Sequence, residues 1–270
     1  MDDIDHRGFL SPELSRVREE LRSTYRDVFM LCEGINSLGH ALRSRVRAKS
    51  DRLDHTIPAL LYSRTLTHYQ ASVLATERAM ISPAEALARA ALESTFALVA
   101  IARRKATVRD LVRNDEFHRL RLLNNIRRLR DAGQLEITPS LSDQKLTCCI
   151  ERLKARRKMR SEIGPGQLAR WAKLERLYLT SYATLSLVAH SNLRDMETEL
   201  ALDSKGRPSA IMWGPNPRCV PETLLTASQF MLLAIDAASD HFKVRIREKL
   251  RSLNRQHERV ANRYLKERPL

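Results

Sequence analysis

The sequence predicts an all-α protein, an antiparallel multi-helix bundle, on two observations. Leu, Ala, Arg and Glu dominate its 270 residues, whereas glycine is scarce at 8 and aromatics make up 5%, a composition that favours helices over sheets. Helix-start signals also recur along the chain, with no internal repeat of fixed period. Only the segment between Leu200 and Pro221 breaks the helical pattern.

Ser11-Pro12-Glu13 supplies an N-cap, a proline at the first helical position and an early acid, opening a helix towards Gly34 or Gly39. Ile57-Pro58 opens a second, reaching about Met80. Ser82-Pro83-Ala84-Glu85 reads as a capping box, so a third helix begins at Pro83 and lasts to about Lys105. Thr107-Val108-Arg109-Asp110 starts another that ends near Gly133. Ser142 starts the next, which runs through a basic segment and stops before Gly164-Pro165-Gly166. A long helix then carries Leu168 to about His190. Asp203-Ser204-Lys205-Gly206-Arg207-Pro208 is a turn between two apolar runs, which predicts a short β-hairpin near 200–213. From Pro221 a last helix is apolar to about Ala238 and strongly basic afterwards, giving a long basic C-terminal helix that projects as an arm. The expected organisation is an N-terminal helix and linker over 1–55, a bundle core over 56–240 and a basic extension over 241–270.

The formal charge of +15 points to an anionic partner, above all nucleic acid, because clustered cations gain affinity by displacing condensed counterions. The clusters are Arg127, Arg128 and Arg130, then Arg152, Lys154, Arg156, Arg157, Lys158 and Arg160, then the stretch from Lys243 to Arg268. Aromatic side chains are not interleaved with these runs, which argues against single-strand readout by stacking. No apolar run reaches membrane-spanning length without a charge, since Glu93 and Asp236 interrupt the two best stretches. The acidic start, Met1-Asp2-Asp3-Ile4-Asp5-His6, lacks an apolar signal region, so a cytoplasmic protein away from membranes is expected. Cys32, Cys148, Cys149 and Cys219 lack zinc-like spacing and read as reduced thiols; no metal and no cofactor is expected. P-loop, GxGxxG, GxSxG and HExxH patterns are all missing, which leaves nucleotide hydrolysis by familiar machinery, nicotinamide chemistry and zinc proteolysis unsupported.

Arg89 and Glu93 stand one helical turn apart within the apolar stretch from Ala84 to Ala102, so the pair is expected to be largely desolvated and to survive by pairing. Tyr182, Ser186 and His190 fall at i, i+4 and i+8 on another apolar helix. If the two helices touch, Glu93 would fix the His190 tautomer and His190 would serve as acid or base. The same residues could equally be an internal pair that sets helix register. Arg64, His68 and Ser72 make a weaker stripe that could face the same cluster, and Asp236 is a further buried-acid candidate.

The order Arg89-xxx-Glu93, then Tyr182-xxx-Ser186-xxx-His190, resembles a family of bacterial all-helical domains of unknown function, over about residues 58 to 240. That resemblance implies a helical domain with a shared polar cluster and no established reaction. Arg113-Asn114-Asp115-Glu116-Phe117-His118 more loosely resembles the HEPN superfamily, helical bundles that are often metal-independent ribonucleases of toxin and phage-defence systems. The resemblance implies His118 as acid or base and Arg113 as electrostatic stabiliser at the interface of a homodimer. Arg251-Ser252-Leu253-Asn254-Arg255-Gln256-His257 is a second match, its histidine six residues on rather than five. The leading expectation is therefore a protein that engages RNA, with the HEPN-like nuclease as its sharper form. The rival is a non-enzymatic binding or scaffold protein whose polar cluster is structural and whose C-terminal helix holds a protein partner.

Overall fold

A computed structural model describes residues 3–47, 51–104, 106–135, 142–156, 162–189 and 192–265. The short helix α1 (Asp3–Arg7) leads through a 3-10 turn into α2 (Leu14–Thr24) and α3 (Arg26–Arg43). The single helix expected here is thus two, broken at Tyr25 (φ −110°, ψ 38°). Beyond the break, Arg18 and Arg22 of α2 reach Glu77. Gly34 and Gly39 do not end a helix. A Cβ on Gly39 would stand 3.1 Å from Leu66 and 3.3 Å from Met231, so this glycine marks a close helix contact, and its carbonyl accepts the Tyr62 hydroxyl at 2.8 Å.

α4 (Leu53–Thr76) holds Pro58 within its first turns, and α5 (Ile81–Ala102) begins before the expected box. Met80 is the N-cap of α5 and no side chain caps it; Ser82 and Pro83 sit in the first turn, where the missing proline N–H would have had no helical partner. The box at α6 (Val108–Asp131) does form, with Thr107 Oγ1 accepting from the Asp110 amide and Asp110 accepting from the Thr107 amide. α7 (Asp143–Arg156) follows.

The long helix expected from Leu168 to His190 is instead α8 (Pro165–Trp171), α9 (Glu175–Leu177), a π turn over Tyr178–Tyr182 and α10 (Ala183–Ala189). α11 (Leu193–Met196) and a 3-10 turn lead to β1 (Leu200–Leu202) and β2 (Pro208–Ile211). The strands pair antiparallel, Leu200 with Ile211 and Ala201 with Ala210, as the turn chemistry predicts. The last stretch is two helices, α12 (Val220–His241) and α13 (Arg247–Leu265). α13 does not project: it folds back on α12 and α3, burying Leu250 and Val260, and Tyr264 donates to Asp27 at 2.9 Å.

α4 packs along α5, and α12 lies against both. Their shared core runs from Leu21 to Val260 and is built on Tyr62, Tyr69, Phe96, Leu98, Leu224 and Phe230. The α6–α7 hairpin has a small core of its own, Leu120, Leu146 and Ile150. No helix among the described residues is long and apolar enough to cross a membrane.

Candidate functional site

α5 presents Arg89 and Glu93 on its flank, and the π turn brings Tyr182 against them. The wider π turn places Tyr178 and Tyr182 one above the other, their rings stacked at 5.1 Å and leaning on Phe96. Tyr182 then bridges the pair. Arg89 Nη2 donates to the phenol oxygen at 2.9 Å, and the phenol donates to Glu93 Oε1 at 2.9 Å. Arg89 Nη2 also lies 3.3 Å from Glu93 Oε1, and its guanidinium stands 5.0 Å from the centre of the Tyr182 ring.

The arginine–glutamate turn and the tyrosine of the second helix therefore meet, a contact that the sequence left conditional. The degree of burial differs: the Arg89 side chain is 19% exposed and that of Glu93 41%. The pair therefore lies at the boundary of the core. Arg89 Nε is buried without a hydrogen-bond partner. Burial raises the Tyr182 phenol above its usual range; the Arg89 hydrogen bond opposes that and Glu93 adds to it, so the phenol stays protonated at neutral pH.

Ser186 stands apart from the triad, its hydroxyl donating to the Tyr182 carbonyl at 2.6 Å. His190 lies outside the described residues. The histidine that does stand beside Glu93 is His68 of α4. Burial and the Arg64 charge lower its pKa, opposed by the Ala90 backbone and Glu93, and its Nδ1 is buried without a partner. Ser72, of the same stripe, is fully buried and donates to the Ala84 carbonyl.

Arg113 and His118 belong to a separate group on α6. Arg113 is 3.8 Å from Asp110, while His118 Nε2 is 3.5 Å from Glu162 and 3.4 Å from Asn114. Asn114 itself clamps the Ile163 backbone, donating to its carbonyl and accepting from its amide. Glu162, which no sequence pattern marks, pairs with Arg121 as well. The second match, Arg251 to His257, faces a groove of about 480 Å³ between α12 and α13, with Asp236, Asp240 and Arg247. There His257 Nε2 is held on the Leu225 carbonyl at 2.9 Å. Burial and Asp240 raise the Asp236 carboxyl, and Arg247 and Arg103 oppose them.

Of the basic candidates, Arg127 and Arg128 lie on α6, and Arg152, Lys154 and Arg156 on α7, so both sets share one hairpin. Lys154 pairs with Glu151 at 3.0 Å, whereas Arg127, Arg128 and Arg156 meet no carboxylate among the described residues. Arg157, Lys158 and Arg160 lie outside the described residues. No group of three His, Cys, Asp or Glu side chains among the described residues is placed to hold a metal ion. Sequence reasoning missed the most buried carboxylate altogether: Glu77, 3% exposed, meets Arg18 and Arg22 at 3.0 Å and Arg78 at 3.2 Å. A charge at a helix end gives no periodic signal.

These features define the class: an all-α bundle with an Arg–Tyr–Glu triad on its flank and a basic two-helix hairpin. Residues 55–207 match the model of a family of unknown function, DUF5677. The match covers both helices of the triad and more than half of the chain, and the protein belongs to that family. No curated protein matches the chain, and no solved structure does.

Proposed function

We propose that the protein engages RNA through the α6–α7 hairpin. The observation that carries this reading is the hairpin's small separate core, around which Arg127, Arg128, Arg152 and Arg156 stand largely free of carboxylate partners. Cations not engaged within the protein are the ones able to displace counterions from a phosphate backbone. Purified protein should bind RNA with an affinity that falls steeply with salt. Replacing Arg127, Arg128 and Arg152 by alanine should lower the log–log slope by about one for each phosphate no longer neutralised. An unchanged slope would place binding elsewhere.

The sharper reading is metal-independent cleavage beside that surface. With Nε2–H of His118 directed to Glu162, Nδ1 carries the lone pair and takes the proton of a ribose 2′-hydroxyl. The 2′-oxygen attacks the adjacent phosphorus and the bond to the 5′-oxygen breaks, that oxygen taking a proton from solvent while His118 later returns its own to water. A 2′,3′-cyclic phosphate and a 5′-hydroxyl end remain. Arg113 balances the charge on the phosphate. Cleavage of total RNA in the presence of a chelator, abolished in His118→Ala and Arg113→Ala, is the expected result. Intact RNA with wild type and variants alike removes the nuclease and leaves the binding.

The scaffold reading is favoured by one observation. Tyr182 is closed between Arg89 and Glu93 and Ser186 is bonded to its own helix, so among the described residues neither hydroxyl of that helix face is a free nucleophile at the triad. In that reading the triad fixes how α10 sits on α5.

A further inference from the structure

A second cationic surface lies where the C-terminal end of α3 meets the corner between α12 and α13. The chain leaves α12 through Lys243, whose backbone is left-handed at φ 56°, and re-enters a helix at Arg247. This corner and α3 enclose a groove of about 730 Å³. Leu38, Ala41, Val244 and Ile246 contribute apolar surface, while Arg45, Lys243, Arg245, Arg247 and Lys249 bring cations to it, against the acids Asp240 and Glu248. Arg247 is turned to Asp240 at 3.7 Å. Arg45, Lys243, Arg245 and Lys249 are exposed and meet no carboxylate among the described residues.

Such a groove has two kinds of wall, and a ligand that satisfies both must have two kinds of surface. Its volume falls in the range of small-molecule sites, about 300–1,000 Å³. Inorganic phosphate would leave the apolar wall wet, and an apolar ligand would leave the exposed cations, which outnumber the acids Asp240 and Glu248, unmatched. We propose that this groove binds a phosphorylated nucleoside, the base against Leu38, Ala41 and Val244 and the phosphates on Arg45, Lys243, Arg245 and Lys249. The site is remote in sequence from the hairpin and independent of the RNA reading. A free nucleotide and the 5′-phosphorylated end of an RNA strand share the chemistry.

Lys243 offers an unusually clean test. At a left-handed backbone position glycine is favoured over any side chain, so Lys243→Gly removes a cation while relieving strain. Calorimetric titration of the full chain with ATP should show saturable binding, with adenosine and pyrophosphate each weaker. Lys243→Gly and Arg245→Ala should each reduce ATP affinity about tenfold, the size expected when a charge-assisted hydrogen bond is removed. Melting temperature should be unchanged or raised in Lys243→Gly, and Arg127→Ala/Arg128→Ala should bind ATP like wild type. A short RNA with a 5′-phosphate that competes better than ATP identifies the strand end as the ligand. Pyrophosphate binding as tightly as ATP would overturn the nucleoside; no ATP binding at millimolar concentration, together with no competition between 5′-phosphorylated and 5′-hydroxyl RNA, would overturn the site. So would wild-type affinity in both corner variants. Loss of RNA binding in the hairpin variants with ATP binding intact separates this site from the RNA surface.

Discussion

Glu77 and Glu93 are both glutamates clasped by arginine, and they differ in almost every other respect. Glu77 is buried at 3% exposure and takes a cation from each of Arg18, Arg22 and Arg78, which ties α2 to the end of α4. Glu93 is 41% exposed, shares one oxygen between Arg89 and Tyr182, and lies beside a buried guanidinium N–H and an imidazole nitrogen that have no partner among the described residues. A buried carboxylate survives only when it is surrounded by donors. Donor saturation around Glu77 is the mark of a structural tie. The incomplete set around Glu93 leaves a polar centre with bonds still to make, open to solvent on one side.

The largest effect should come from the tie. Glu77→Ala takes the shared carboxylate from Arg18, Arg22 and Arg78, whose side chains are 48%, 33% and 40% exposed, while Arg22 keeps Glu33. A cost of about 1–3 kcal/mol is therefore expected, read as a fall in denaturation midpoint. A loss below about 1 kcal/mol would erase the contrast. Tyr182→Phe comes next. It removes the bridge but keeps the ring on Tyr178 and Phe96, so about 1 kcal/mol is expected. Glu93→Gln keeps an acceptor for the phenol and loses only a half-exposed charge, so the change should stay under about 1 kcal/mol. A double-mutant cycle between Tyr182→Phe and Glu93→Ala should show coupling of at least about 0.5 kcal/mol if the phenol joins the two as its bond lengths indicate.

The helical class, the hairpin and the i, i+4 placement of Arg89 and Glu93 were legible because periodicity and turn chemistry are local, whereas the meeting of Tyr182 with that pair is a long-range contact that the spacing allowed without requiring. Helix ends were less so. The chain closes α4, α8 and α12 with left-handed residues Ala79, Lys173 and Lys243, where glycine would have signalled a stop. Each is followed by an amide that reaches back five residues: Met80 to the Ala75 carbonyl, Leu174 to Ala169 and Val244 to Ser239. A lysine at such a position complements the negative end of the helix dipole, yet in sequence it reads as helix continuing. That is why α8 to α10 read as one helix, and why α13 read as an arm. Conversely, Gly34 and Gly39 looked like stops and serve as contact points. His68 was legible as a stripe member, but its place beside Glu93 depends on how α4 lies along α5, which no local pattern encodes.

His68 carries the smallest effect and the finest test of the comparison. Its pKa is depressed below the usual 6.5, first by burial and then by Arg64. A base whose folded pKa is lowered binds its proton more readily when unfolded. Stability is therefore complete above about 6.5, falls as pH drops through that value, and stops falling below the folded pKa. His241, lowered chiefly by burial and by nearby His55, works in the same direction. Melting curves between about pH 7.5 and 5, around the ordinary histidine value, should slope downward towards acid, with His68→Gln and His241→Gln each flattening part of that slope. Because Glu93 pulls the His68 pKa back up, Glu93→Gln should steepen it. A slope indifferent to Glu93 would mean that the open side of the triad is electrostatically silent, and the two glutamates would then differ in burial alone.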